Sequence, residues 1–394
     1  LFLSGITFNS GASAFSISGN SIRLGGDIVN NSTASQSLGF PIILTSNISF
    51  ISNTGPIMLG GVISESGGSF SITKAGTGPL TLSGANTFSG GFITTAGDTY
   101  ISGLGSGTPG APTSGALGTG IVTLAGGRII YNNGVTALYN NLIAQAGTTT
   151  TFLEAVSQPL YLYGDLSGSG NIILDANTNY NGIRLAGDNS AFTGTVTLNS
   201  TGNSARHKFE SASAGSAAAK WIFNGPTDSG SMNFGTGTIH FGEFSGNANQ
   251  IRNNSTGTAT LSVGALNTDS SFTGVISSVG SLALRKVGTG TLTLSATNTY
   301  TGSTTIEGGT LKFTGNKTGT GAITIGSGGT LAGTATIAGP VMLENEGSIA
   351  PGNNGAGILT LSGTVAFNNG GVLSLDLATP STSDKLALTG STFT

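Results

Sequence analysis

Residues 288–303 read GTGTLTLSATNTYTGS and residues 76–91 read GTGPLTLSGANTFSGG, with ten of sixteen positions identical. Each run opens with an apolar alternation, Leu292-Thr293-Leu294 or Leu80-Thr81-Leu82, which puts two leucines on one face of a strand and a hydroxyl on the other. The match extends upstream, where VISSVGSLALRKVGTG from Val275 corresponds to VISESGGSFSITKAGTG from Val62 with one residue of slack. A weaker third copy runs from GDLSGSGNIIL at Gly164 into RLAGDNSAFTGTVTL at Arg184, which makes Leu82, Leu185 and Leu294 equivalent. Super-repeats therefore lie near 60–100, 164–199 and 273–313, each long enough to hold several coils.

The same grammar fills the rest of the chain. Ile323-Thr324-Ile325, Leu359-Thr360-Leu361 and Leu373-Ser374-Leu375 alternate in the same way. Glycine- and asparagine-rich bends follow them, at Ser327-Gly328-Gly329, Asn353-Asn354-Gly355 and Asn369-Gly370-Gly371, and supply the conformations that sharp corners need. The Ala-rich run from Ser211 is the one segment that hints at a helix, and its pattern is too short to predict one. Apolar clusters recur without two-residue hairpin turns, which argues against an antiparallel meander. Three clusters per turn predict coils of about 20–25 residues, the size of a solenoid repeat. The expectation is an all-β, right-handed, single-stranded parallel β-helix over residues 1–394, one continuous β-solenoid of roughly 16–19 coils with wider or looped coils near 200–255.

Composition supports this reading. Lys, Arg, Asp and Glu make up 7% of 394 residues, and 67 residues are glycine, so the surface must be built from Ser, Thr, Asn and Gly. Leu, Ile, Val and Phe, spread evenly along the chain, supply enough apolar surface to offset the entropy of ordering and argue against disorder. The net charge of −3 arises from scattered charges without a basic stripe, which argues against a nucleic-acid reader. Cysteine is absent, so disulfides and thiolate chemistry are excluded. No run of eighteen apolar residues occurs, so no membrane insertion by a helix is expected. The opening LFLSGITFNSG has no basic n-region, and the chain starts and stops in mid-pattern, which suggests an excerpt of a longer precursor.

The two strong repeats resemble the autotransporter-associated β-strand repeat, also called the passenger-associated transport repeat. One copy carries Lys286, Gly288, Gly290, Leu292, Leu294, Ser295, Asn298, Thr299, Tyr300, Gly302 and Ile306. The other carries Lys74, Gly76, Gly78, Leu80, Leu82, Ser83, Gly84, Asn86, Thr87 and Gly90, with Phe88 in place of the tyrosine. The stretch GSIAPGNNGAGILTLSGTVAF from Gly347 is similar to passengers near their membrane-proximal end. About a third of the chain carries the resemblance. It implies a β-helical passenger exported across an outer membrane by a C-terminal β-barrel, hence an extracellular location at the bacterial cell surface.

Catalysis by a β-helix needs converging carboxylates or bases. The close acidic pair is Glu344 and Glu346, which would share a strand face, though a solvated outer face explains it as well. Residues 201–254 are the least typical stretch, with His207, His240, Trp221 and the cluster Arg206-His207-Lys208-Phe209-Glu210. A loop presenting Arg206, His207, Lys208 and Trp221 to a ligand is weighed there against a wider coil whose aromatics fill extra core. Asp175, Asn177, Asn179 and Asn181 alternate like a calcium loop, but Tyr180 and Ala186 stand where glycine and glutamate are required. Asn86, Asn189 and Asn298 each precede an aromatic, Phe88, Phe192 or Tyr300, as amides that satisfy a corner and rings that cap the core. Lys74 and Lys286 read as charges protecting a sheet edge. No catalytic residue, metal or cofactor is expected. The function expected is a structural or adhesive rod, with self-assembly into a filament or lattice as the alternative and a polysaccharide-active enzyme a distant third. The expected partners are further copies of the chain, or host glycans or proteins.

Overall fold

The computed structural model describes residues 1–103, 105–131, 136–156, 158–176, 182–201, 206–226, 228–232, 236–352, 355–368, 370–377, 379 and 382–390. It is an all-β solenoid of parallel stacked strands with about 15 turns, slightly fewer than expected. The difference lies in coil length. Leu80 pairs with Thr99, nineteen residues on, whereas Thr99 pairs with Ile129, thirty residues on. The chain divides into two compact units, Leu1–Thr197 with Thr201–His207, and Leu198–Ser200 with Lys208–Thr394.

In the first unit, strands of mostly three residues turn from face to face of each coil. One face is an eight-stranded parallel sheet that begins at Ile6–Phe8 and ends at Leu166–Gly168. Its inward side chains stack in register, Ile72 under Phe92, Val122, Leu142 and Leu166. A three-residue strand buries two side chains and has little stability alone, so the ladder of like on like is what holds each coil. The third face is interrupted. It starts as a four-stranded sheet ending at Ile63–Glu65 and resumes at Thr136–Leu138. In the interruption stands an antiparallel hairpin, Ser106–Thr108 with Ala111–Ser114, which accounts for the thirty-residue coil.

The second unit repeats the design. Leu292, Leu311, Leu331, Ile349 and Leu373 lie in register, as do Ile306, Ile325, Leu343 and Phe367. The Ala-rich run forms one 3-10 turn at Ala212–Ala214 and then the strand Ser216–Asn224. Leu373 is exposed rather than buried, because its ladder ends there with Ile349 as its neighbour. The bends at Asn353-Asn354 and Asn369 lie outside the described residues.

Candidate functional site

The polar residues of the repeats converge on the coil interior. Lys74 follows Ile72 and Thr73 in the strand Ile72–Ala75, so alternation turns it inward with Ile72. Its Nζ donates to the carbonyl oxygens of Ala75 at 3.0 Å, Gly76 at 2.7 Å and Ala96 at 3.0 Å. Lys286 repeats the arrangement with Val287 at 2.8 Å, Gly288 at 3.1 Å and Gly308 at 3.1 Å. Three acceptors match the three protons of an ammonium group. The expectation of edge protection is thereby corrected, since the two lysines are 0% and 1% exposed. The left-handed backbone of Gly76 and Gly288, with φ of +78° and +68°, makes the corner that supplies these carbonyls. Burial pushes the Lys74 pKa down to about 8 against the opposing attraction of Asp98, and that of Lys286 down to about 8 against Asp269.

The asparagines occupy corners in a second recurrent geometry. Asn86 Oδ1 accepts the N–H of Ile63 at 2.8 Å, Asn189 Oδ1 that of Leu166 at 3.0 Å and Asn298 Oδ1 that of Ile276 at 2.9 Å. Each acceptor reaches one coil back, to the start of a strand whose next neighbour is a corner rather than a strand. The amide oxygen therefore stands in for a missing ladder carbonyl. The Nδ2 group is used as well, donating from Asn86 to Ala116 O at 2.8 Å and from Asn298 to Ala296 O at 2.9 Å. Phe88, Phe192 and Tyr300, at the paired aromatic positions, are fully buried. The Tyr300 hydroxyl bonds the Thr304 hydroxyl at 2.7 Å, and burial holds the phenol well above its usual range.

Lys317 belongs to the same set. It is fully buried and bridges in register to Asn298 on one side and Ile337 on the other. Its Nζ donates to Gly319 O at 2.6 Å and Gly321 O at 3.0 Å, and lies 5.1 Å from the Tyr300 ring centroid, a cation–π contact. Burial lowers its pKa to about 8. The signal for it was present in the sequence: Lys-x-Gly-Thr-Gly occurs at Lys74, Lys286 and Lys317.

The other candidates are not brought together. His207 is fully buried, and its Nδ1 accepts the Ile183 N–H at 3.4 Å. Trp221 is fully buried, donates from Nε1 to Ser216 O at 3.2 Å, and packs 5.6 Å from Phe209 and 5.0 Å from Phe241. Phe223, Phe244 and Phe272 continue this aromatic cluster. A ligand-contact loop is thus corrected for these two residues, because the strands around them turn both into the core. Arg206 and Lys208 are half-buried. His240 is exposed, and desolvation followed by the Arg285 charge holds its imidazole below the usual value. Glu344 and Glu346 do not share a strand face. They sit on a turn after the strand Val341–Leu343, with left-handed backbone at Asn345 (φ 48°) and Glu346 (φ 67°). Of the alternating oxygen ligands, Asn177, Asn179 and Asn181 lie outside the described residues, and Asp175 has its pKa raised, by burial first, with Arg128 opposing. Among the described residues no three histidines, cysteines or carboxylates gather to hold a metal ion, and no helix is long and apolar enough to cross a membrane.

Residues 72–103 and 284–313 match the family model described as Passenger-associated-transport-repeat. The two segments hold Lys74, Asn86 and Phe88 in one case and Lys286, Asn298 and Tyr300 in the other, so the repeat signature records the buried polar corners just described. No curated protein and no solved structure matches the chain.

Proposed function

We propose that this chain is an extracellular structural and adhesive segment of a bacterial cell-surface protein, and that it is not catalytic. Passenger repeats on a β-solenoid fit an autotransporter passenger, and such repeats imply a secreted or cell-surface protein. One observation carries the non-catalytic reading: the charged and polar residues that recur in the repeats, Lys74, Lys286, Asn86 and Asn298, are buried and bonded to backbone groups. Side chains committed in that way build the scaffold, and the face left to a partner is a surface of Ser, Thr and Asn on rigid rungs.

The test has two arms. Beads coated with the purified chain should be retained on cell or matrix surfaces above the level of uncoated beads, and a screen of polysaccharides should show no cleavage. Turnover that disappears in Glu344→Gln would overturn the reading, as would beads that adhere to nothing.

A further inference from the structure

We infer that the hairpin Ser106–Thr108/Ala111–Ser114 walls a cleft that binds a neutral glycan chain, an inference that rests on the adhesive reading. The cleft, of about 340 Å³, is bounded by Gly110 of the hairpin and by Ser69, Ser89, Thr119, Ile121 and Asn141 of the coils beneath. That volume lies at the lower end of the range of small-molecule sites, roughly 300–1,000 Å³, and suits a short stretch of a sugar chain.

Its chemistry selects the occupant. Ser69, Ser89, Thr119 and Asn141 come from successive coils, so hydroxyl and amide groups recur along the cleft at the rung spacing of ~4.8 Å. That period is close to the length of one pyranose unit. The groups are held in place by the chain, with the Ser69 and Ser89 hydroxyls bonded at 2.8 Å, Thr119 Oγ1 donating to Phe88 O at 3.3 Å and Asn141 Oδ1 accepting the Asp165 N–H at 3.0 Å, so that hydroxyl lone pairs are what they present to a sugar hydroxyl. Among the described residues, no ionised side chain lines the cleft. The Glu65 carboxylate behind the lining residue Ser89 is already engaged, with Oε1 accepting the N–H of Ser89 at 3.0 Å and the Ser89 hydroxyl at 2.5 Å. Ile121, 49% exposed, offers an apolar surface to the C–H face of a ring. Small polar groups with one apolar contact on a rigid frame describe an adaptable recognition surface of low ordering cost.

The wall is fixed in place. Gly110 N–H donates to the backbone oxygen of Tyr139 at 2.8 Å, and the Tyr139 ring lies beside Gly105, where a Cβ would stand in ordinary van der Waals contact with it at 3.4 Å. Tyr139 stacks on Tyr163 at 5.1 Å between centroids, Tyr163 on Tyr161 at 5.3 Å, and the Arg184 guanidinium lies 5.0 Å over Tyr161. Three of the seven tyrosines thus form one stack behind the hairpin. Tyr139 is a positioning residue, acting on the cleft through the hairpin.

The experiment uses the full chain on an array of neutral β-1,4-glucose, α-1,4-glucose and β-1,4-N-acetylglucosamine oligomers, beside uronate and sulfated oligomers. Neutral oligomers should bind. Thr119→Arg and Asn141→Lys, each checked for an unchanged thermal melt, should each weaken binding by about tenfold or more. Tyr139→Ala should weaken it and Tyr139→Phe restore it, which a merely stabilising tyrosine would not show in a folded variant. The inference is overturned if neutral oligomers fail to bind, or if they bind with both cleft variants unaffected. Coated beads that still adhere while neutral oligomers fail would reject the glycan cleft alone; beads that do not adhere would reject the adhesive role.

Discussion

The carboxamide of Asn298 takes the place of a strand residue. Where the third face gives way to a corner, the Ile276 N–H would point to the next coil with no ladder carbonyl opposite, and Oδ1 supplies the acceptor at 2.9 Å. An unpaired buried N–H costs about 1–3 kcal/mol, so Asn298→Ala should destabilise by that amount, read as a lower midpoint of urea unfolding with an unchanged slope. Asn298→Asp keeps the acceptor but loses the donor to Ala296 and buries a charge. It should be no better than alanine at neutral pH and should recover as the carboxyl protonates in acid, whereas equal stability to Asn298 at neutral pH would reject this account. Asparagine at these corners was legible in the sequence because it recurs two or three residues before an aromatic. The role of the lysines was not, since a lone Lys between apolar residues reads as a charge facing water, and three carbonyls around one Nζ arise only when the next coil brings in Ala96 or Gly308.

At the scale of the element, the alternation of Leu80-Thr81-Leu82 or Ile323-Thr324-Ile325 fixes which side chains enter the core, and both triplets form strands with buried outer residues. What alternation does not encode is the distance to the next strand. The hairpin at 106–114 was hidden for that reason, since its turn signals look locally like any other bend, whereas the aromatic coils near Trp221 were legible as a wider stretch because their rings and charges break the local grammar. The corners are more tightly constrained than the strands. A Cβ on Gly290 would lie 2.2 Å from Thr268 O, a backbone atom that cannot move without its rung. Gly290→Ala should therefore cost about 1–3 kcal/mol. Gly147, where an added Cβ would meet nothing within 4 Å, should respond through its backbone strain alone. In the aromatic coils Phe241 touches Phe209, Trp221, Phe223 and Phe244. Phe241→Ala should cost about 3–5 kcal/mol in the same assay and, if the cluster is a core rather than a site, leave bead adhesion unchanged.

For the whole molecule, the scarcity of surface charge sets how stability responds to solvent. The surface pairs Arg128–Asp98, Lys220–Glu243 and Arg285–Glu307, in the first two of which the carboxylate is half-buried, are screened by salt and individually weak. Sodium chloride should therefore shift the unfolding midpoint little. Proton concentration should matter far more, because the charges that count are inside. Lys74, Lys286 and Lys317 each have a folded pKa near 8 against 10.5 for a free lysine. Between those two values the unfolded chain holds protons that the folded chain has released, so ΔG of unfolding rises with pH across that interval. Tyr300 acts in the opposite sense, since its folded pKa is raised above 10 and the unfolded chain loses that proton first. The two effects together predict an alkaline maximum: the denaturant midpoint should climb from about pH 8, then flatten or turn down above about pH 10 as Tyr300 begins to oppose the lysines. Lys286→Met should remove its share of the climb, and Tyr300→Phe should carry the climb to higher pH. A midpoint that falls steadily from pH 8 to 10 would mean that the buried ammonium groups stabilise the folded coils through their carbonyl contacts by more than their desolvation costs.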